Sequence, residues 1–166
     1  MKAVRQAVID IGSNSVRLVT YQLEGRAIWT IYNEKALAGL GKGVAATGKL
    51  SREGVETALE ALRRYQGLLE DWNPTDIFVV ATAAVREASD GKDFLRLVKA
   101  QTGLSVRVLT GEEEAHYAAL GVIAGQGDAD AHASWQEYFD ELKEAIARGP
   151  ETAAAIRQSL EKQYGN

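Results

Sequence analysis

The stretch of sequence that decides the fold is residues 4–23, VRQAVIDIGSNSVRLVTYQL. Two runs rich in β-branched residues, 4–11 and 15–23, flank the turn-forming residues 12–14. This pattern predicts two antiparallel strands joined by a tight turn. A third strand is predicted at about 27–36, so the chain begins with an antiparallel meander.

A long amphipathic helix is predicted after these strands. Three glycines in residues 40–48 indicate a loop, whose spacing is not that of a nucleotide-binding P-loop. Ser51 is a good N-cap, and Asn73 with Pro74 ends the helix. Between them, apolar residues recur at steps of four and three and define one buried helical face: Val55, Leu59, Leu62, Tyr65 and Leu69.

Strands and helices alternate through the following residues. The apolar run 77–81 predicts a buried parallel strand, and residues 93–101 predict a helix closed by Gly103. Residues 105–109 alternate as a strand, and a last helix runs from 110 to about 123. This order predicts a mixed α/β fold with a five-stranded sheet, typical of a ribonuclease H-like lobe.

Composition excludes several classes of protein. The chain has 166 residues and no Cys, so disulfide scaffolds and thiol nucleophiles are excluded. No apolar run approaches the ~20 residues that cross a bilayer, and the N-terminus has no signal-peptide core. We therefore expect a cytoplasmic protein without a membrane partner. A formal charge of -4 provides no general basic field, so we expect no nucleic-acid partner.

Charge divides the chain into two parts. Residues 1–127 carry 15 basic and 15 acidic side chains, whereas residues 128–166 carry 4 and 8. We expect a lobe over 1–127 and a C-terminal helical hairpin over 128–166 that packs on it or forms a homodimer. The first predicted helix of this hairpin has an apolar stripe formed by Trp135, Phe139, Leu142 and Ile146.

The first candidate site is the turn after the first strand. Asp10 ends a predicted buried strand, where a carboxylate is costly unless a metal or hydrogen-bond donors accompany it. The turn that follows offers closely spaced amides and hydroxyls to a phosphate, from Gly12, Ser13, Asn14 and Ser15. A plain hairpin turn capped by the aspartate explains the same residues about equally well.

Two further candidates follow later strands. Arg86 comes soon after the strand 77–81, where ligands gather in open α/β sheets and where an arginine can bind phosphate through two nitrogens. Without other information, an ion pair with Glu87 or Asp90 is the more common role. Glu112, Glu113 and Glu114 open the last helix. Thr110 and Glu113 there form a predicted capping box, which leaves Glu114 unexplained and able to act as a base toward water.

Four separated motifs together resemble one family. They are residues 8–18 (VIDIGSNSVRL), 33–50 (NEKALAGLGKGVAATGKL), 80–88 (VATAAVREA) and 109–122 (LTGEEEAHYAALGV). In order and spacing they closely resemble the exopolyphosphatase and guanosine pentaphosphate phosphohydrolase family, over roughly residues 4–131. The resemblance implies an actin-like ATPase fold, in which two ribonuclease H-like lobes enclose a cleft.

The resemblance also implies roles for the candidate residues. Asp10 would place a divalent cation, expected to be Mg²⁺, or a water molecule. Arg86 would bind phosphate together with the turn. Glu114 would be the general base, because the base of the family directly precedes an alanine, here Ala115. The phosphate contacts of the turn would come from Gly12, Ser13, Asn14 and Ser15.

Residues 132–166 depart from the family pattern. Family members continue into a second phosphate motif, Asp-x-Gly-Gly-Gly-Ser, and a second lobe, and neither follows here. The sequence therefore predicts an isolated N-terminal lobe, either a natural truncation or an engineered minimal domain. We expect weak hydrolysis, at most, of terminal phosphoanhydride bonds in polyphosphate or guanosine pentaphosphate. The alternatives are a phosphate- or polyphosphate-binding module without turnover and a folded domain without activity.

Overall fold

The computed structural model describes residues 3–25 and 27–125, together with Asp140 and Glu144. The elements in chain order are β1 (Val4–Ile11), β2 (Ser15–Glu24), β3 (Ala27–Leu37), α1 (Val44–Thr47), α2 (Arg52–Trp72), β4 (Asp76–Ala81), α3 (Ala83–Glu87), α4 (Gly91–Thr102), β5 (Arg107–Val108) and α5 (Gly111–Gly125). Among the described residues, no helix is long and apolar enough to cross a membrane.

The strands form one five-stranded sheet in the order β3-β2-β1-β4-β5. β1 pairs antiparallel with β2, and β2 pairs antiparallel with β3. β1 also pairs parallel with β4, which pairs parallel with β5. The predicted mixed α/β fold is therefore confirmed, with β1 at the centre and the carboxyl ends of β1 and β4 at the same edge.

The core of the sheet packs against α2. Ser51 caps this helix as predicted, because its hydroxyl accepts a hydrogen bond from the Gly54 amide at 3.1 Å. Tyr65 is fully buried on the inner face of α2, and its hydroxyl donates to the carbonyl of Val16 at 3.1 Å. Apolar residues of β1 and β2 complete the core: Ala7, Ile9, Ile11, Val16 and Leu18. Burial of each large side chain contributes about 1.5 to 3 kcal/mol, so this interface holds α2 on the sheet.

Several elements differ from the sequence expectation. The predicted loop 40–48 contains the short helix α1, and α3 is an additional helix directly after β4. α4 begins at Gly91, before the expected start at 93, and ends at the predicted Gly103 cap. β5 is shorter than expected, because only Arg107 and Val108 pair with β4.

The chain divides into two compact units, Met1–Val108 and Leu109–Asn166. The expected division at 127/128 differs from this boundary and stays a prediction. The predicted hairpin of 128–166, with its apolar stripe, lies outside the described residues except for Asp140 and Glu144, both of which are helical.

Candidate phosphate-binding site

The turn between β1 and β2 lies at the carboxyl end of β1. The Gly12 amide donates to the carbonyl of Ser15 at 2.9 Å, which closes the hairpin and leaves Ser13 and Asn14 exposed at its tip. The neighbouring parallel strand is connected to the same point, because the Thr82 amide donates to the carbonyl of Ile11 at 3.2 Å. The turn and the residues that follow β4 therefore share one edge of the sheet.

A glycine-containing segment, residues 38–42, holds the turn in place. The amides of Ala38 and Gly39 donate to the Asn14 carbonyl at 3.1 and 3.0 Å. The Gly41 amide donates to the Ser13 carbonyl at 2.8 Å. These bonds satisfy the carbonyl oxygens of the turn. The segment is anchored because Leu40, between these glycines, is fully buried.

Close packing at Gly41 fixes the distance between this segment and the turn. A Cβ atom at this position would lie 2.9 Å from the Cβ of Ser13 and 3.4 Å from the Cβ of Ala84. Any larger residue would therefore have to push the turn away from α3. The glycine is required here by close approach, since its own φ lies outside the left-handed region.

The donors of the turn are available to a ligand. Within the part of the chain that the structure describes, the amides of Ser13 and Asn14 and the hydroxyls of Ser13 and Ser15 have no hydrogen-bond partner. Consecutive amides of this kind, with hydroxyls beside them, form a concave site for an anion. The arrangement therefore suits a phosphate group at the carboxyl edge of the sheet.

Asp10 differs from the sequence expectation in its burial. Its neighbours Ile9 and Ile11 are fully buried, but Asp10 itself is exposed and lies opposite Arg17 of β2. Alternation along the strand places the aspartate on the other face from the core. The desolvation argument for a metal at this position is therefore wrong, and Asp10 requires no compensating cation in order to fold.

The donor set near the turn still fits one kind of metal. No cluster of three or more His, Cys, Asp or Glu that could hold a metal ion occurs among residues 3–25, 27–125, 140 and 144. Mg²⁺, however, usually binds through one or two carboxylates, with water and substrate phosphates completing the shell. A single exposed carboxylate directly before a phosphate-binding turn is compatible with that mode.

Arg86 lies on α3, whose position is fixed by packing. Ala84 and Val85 are buried, and Gly91 approaches so closely that a Cβ there would lie 2.1 Å from the Val85 carbonyl oxygen. The Arg86 side chain is 29% exposed, and its Nη2 lies 3.7 Å from Oε1 of Glu87, which is 64% exposed. The predicted ion pair with Glu87 is thus present, at a distance and exposure typical of weak surface pairs.

The three acidic residues at the start of α5, Glu112, Glu113 and Glu114, differ in their contacts and burial. The Thr110 amide donates to Oε2 of Glu113 at 2.8 Å, and the Glu113 amide donates to the Thr110 hydroxyl at 3.2 Å. This confirms the predicted capping box and explains why Glu113 is only 3% exposed. Glu112 is exposed, whereas Glu114 is half-buried and takes no part in the capping box.

A polar cavity of about 310 Å³ adjoins the turn and is not predicted by the sequence patterns. Asn14 of the turn lines it together with Lys42 and with Ser51 and Glu53 at the start of α2. α2 comes this close because Gly54 faces the Ala38 carbonyl oxygen, 3.0 Å from a Cβ placed there. The glycine at 54 and the N-cap serine are the local signals that could have indicated this contact.

The strand order, with three antiparallel strands followed by parallel crossovers, defines a ribonuclease H-like α/β fold of the actin-like ATPase type. Within that class, this chain belongs to the Ppx/GppA phosphatase family, which it matches over residues 16–133. The resemblance carried by the four sequence motifs is thereby confirmed.

Solved structures agree with this assignment. The crystal structure of the Aquifex aeolicus member of the Ppx/GppA family has 36% sequence identity and a TM-score of 0.70, covering 73% of this chain and 40% of that chain. An exopolyphosphatase from Cytophaga hutchinsonii has 30% identity and a TM-score of 0.68, covering 71% of this chain and 38% of that chain. The chain thus spans about 40% of the length of these relatives.

Proposed function

We propose that this chain binds the terminal phosphate of polyphosphate or guanosine pentaphosphate at the turn Gly12–Ser13–Asn14–Ser15 and contributes to hydrolysis of the terminal phosphoanhydride bond. The observation that carries the proposal is a set of amides and hydroxyls on an exposed turn that have no partner among the described residues, while residues 38–41 satisfy the carbonyl oxygens of the turn. A turn of this kind accepts an anion without rearrangement, because its donors are already positioned.

Charged residues near the turn complete the proposed phosphate site. Arg86 would add a guanidinium whose paired nitrogens match two phosphate oxygens. Asp10 would hold Mg²⁺, which would neutralise negative charge on the substrate phosphate. Lys42, on the polar cavity beside Asn14, would face the next phosphate along the substrate.

Glu114 is the proposed general base. It would accept a proton from the attacking water while the water oxygen bonds to the terminal phosphorus and the bridging oxygen leaves with the rest of the substrate. The capping box supports Glu114 over Glu113, because the Glu113 carboxylate already accepts a hydrogen bond from the Thr110 amide.

The family supports a phosphoanhydride as substrate, since the Cytophaga hutchinsonii relative is an exopolyphosphatase. A polyphosphate-binding module without turnover is the second candidate. The observation that favours it is the turn itself, because its positioned amides and hydroxyls suffice to bind an anion, whereas phosphoryl transfer also requires positioning of water and leaving group. A cytoplasmic location and homodimerisation through residues 128–166 stay predictions.

Two measurements test both candidates. Release of inorganic phosphate from long-chain polyphosphate and from guanosine pentaphosphate is followed with Mg²⁺, beside a binding titration. Binding with release supports the hydrolase, and binding without release supports the binding module. If the protein binds neither substrate, both candidate functions are contradicted.

A matched pair of variants tests the proposed base. Glu114→Gln keeps the shape of the side chain but removes its basicity, so the rate of release should fall about 100- to 10,000-fold. Glu112→Gln changes an exposed carboxylate in the same helical turn and should leave the rate nearly unchanged. Equal rates for the two variants would exclude Glu114 as the base.

A further inference from the structure

A second cavity, separate from the phosphate turn, lies between α2 and the strands β2 and β3. It has a volume of about 190 Å³ and is lined almost entirely by apolar side chains: Leu18, Ile31, Tyr32, Leu68, Leu69 and Trp72. Apolar pockets with a few polar groups are the usual form of small-molecule sites. The phosphate chemistry proposed above uses none of these residues.

An irregularity in β3 creates one wall of this pocket. The register passes from Tyr21 opposite Thr30 to Thr20 opposite Tyr32, so Ile31 is an extra residue without a partner on β2. A β-bulge of this kind lets two consecutive residues face the same neighbour. Ile31 and Tyr32 accordingly both line the pocket, which regular alternation along a strand would not allow.

One buried polar atom lies in this apolar lining. Thr20 is only 4% exposed, and its hydroxyl oxygen is buried without a hydrogen-bond partner among the described residues. Such a group costs about 1 to 3 kcal/mol unless a partner satisfies it. Thr20 lines the pocket, and its hydroxyl oxygen is closed to solvent in the structure without ligand. Rotation about χ1 to another staggered rotamer would turn the hydroxyl toward a ligand that supplies the partner.

The walls of the pocket are held by contacts outside it. The Tyr32 hydroxyl donates to Glu34, which also forms an ion pair with Arg64 of α2. At the other side, Arg5 Nη1 donates to the Trp72 carbonyl at 2.9 Å, and its guanidinium lies 5.5 Å from the centre of the Trp72 ring. These contacts favour the observed positions of the Tyr32 and Trp72 rings before any ligand binds.

We propose that this pocket binds a small molecule with one aromatic ring and one hydrogen-bonding group, of the phenol class, with Thr20 as its polar contact. The pocket volume of about 190 Å³ suits one aromatic ring, because an apolar cavity of about 150 Å³ holds a benzene ring. The rings of Tyr32 and Trp72 offer edge-to-face contacts to such a ligand. The hydroxyl of the ligand would satisfy the oxygen that the protein leaves unpaired.

Phenol and toluene form a matched pair of probes, since they differ by a hydroxyl against a methyl group. Binding to the full chain is measured by titration of backbone amide NMR signals. We expect phenol to bind and to shift the signals of Thr20, Ile31 and Leu68. Thr20→Val removes the hydroxyl and keeps the shape, so it should lower the preference for phenol over toluene about two- to tenfold.

A pair of leucines controls for loss of apolar surface. Leu68 lines the pocket and is 39% exposed, whereas Leu97 is 42% exposed and does not line it. Leu68→Ala should weaken phenol binding, and Leu97→Ala should not. In the absence of ligand, Thr20→Val should raise the melting temperature, because it removes a buried hydroxyl without a partner.

Four results would overturn the proposal. They are no phenol binding up to its solubility limit, signal shifts confined to other residues, a phenol preference unchanged in Thr20→Val, and a melting temperature of Thr20→Val below that of the wild type. The last result would mean that the hydroxyl already has a partner.

Discussion

The phosphate turn and the outer part of the α2–β3 interface are built in different ways. Main-chain hydrogen bonds hold the turn, from the amides of Gly39 and Gly41 to the carbonyls of Asn14 and Ser13. The interface instead depends at its exposed rim on side chains, where Glu34 joins Tyr32 to Arg64. The turn, which main-chain hydrogen bonds hold, should be disturbed by a substitution that adds side-chain atoms beside it. The contact between Glu34, Tyr32 and Arg64 should instead weaken when a change of pH alters the charge of Glu34.

Alanine substitutions at two glycines, Gly41 beside the turn and Gly67 on α2, should give the largest difference in unfolding free energy and phosphate binding. Gly41→Ala places a Cβ 2.9 Å from the Cβ of Ser13 and should cost about 1 to 3 kcal/mol of unfolding free energy. Because it displaces the turn, it should also weaken phosphate binding by about tenfold or more. Chemical denaturation and a phosphate titration measure the two effects.

Gly67→Ala is the matched control on α2. A Cβ at Gly67 meets nothing within 4 Å, and alanine favours a helix interior by about 0.5 to 1 kcal/mol. This variant should therefore stabilise the protein and leave phosphate binding unchanged. If both alanine variants behave alike, close packing at Gly41 does not hold the turn.

Side chains around the turn should have smaller effects on binding. Arg86→Ala should weaken polyphosphate binding about tenfold, since a charged hydrogen bond contributes about 1.5 to 3 kcal/mol. Lys42→Ala should weaken it less, because a single ammonium matches phosphate less well than a guanidinium. Both losses should shrink at high salt, as isothermal titrations in two buffers would record.

If Lys42→Ala weakens polyphosphate binding more than Arg86→Ala does, the proposed position of the anion site is wrong. That result would place the phosphate in the cavity lined by Asn14, Lys42 and Ser51 rather than beside α3. Arg96→Ala is the control for a general loss of charge, because Arg96 is 77% exposed on α4 and pairs with Asp93.

The smallest expected effect concerns pH at the α2–β3 interface. The hydrogen bond from Tyr32, followed by the bond from Arg64, lowers the pKa of Glu34. The stability that this carboxylate contributes is therefore present above its unfolded pKa and is lost as the pH falls through its folded pKa. Because the pair is largely exposed, the contribution is about 0 to 1 kcal/mol.

Glu34→Gln tests this pH dependence. Its melting temperature should lie slightly below that of the wild type at neutral pH. The difference should shrink as the pH falls below the unfolded pKa of about 4.3 and vanish below the lowered folded pKa of Glu34. Glu70→Gln on α2 serves as the control, since the one hydrogen bond that Glu70 accepts within the described part of the chain comes from Gln66. A difference that persists unchanged in acid would exclude a role for the ionised Glu34.

Local patterns predict most of the elements. The hairpin follows from β-branched runs around Gly12, α2 from the Ser51 cap and its apolar period, and α5 from the Thr110 capping box. α3 has too few residues to show a period, so the sequence leaves it as part of a loop. Its position depends on Gly91, whose contact with Val85 becomes visible only in three dimensions.

Features that depend on distant contacts are not predicted. Gly41 meets Ser13 across 28 positions of sequence, and no local pattern records that approach. The bulge at Ile31 depends on pairing with β2, and the β-branched run that contains it looks regular. Asp10 is expected to be buried because the strand is apolar, but alternation directs it away from the core.

The other expectations depend on the proposal that the turn of residues 12–15 binds phosphate through its backbone amides. An NMR titration of the full chain with inorganic phosphate and then tripolyphosphate, following the amides of Ser13 and Asn14, tests it most directly. We expect these two signals to shift most and to saturate. Gly41→Ala should raise the phosphate concentration at which they saturate by about tenfold or more, whereas Gly67→Ala should leave it unchanged. Shifts that spread over surface lysines without saturation, or that survive unchanged in Gly41→Ala, would contradict it.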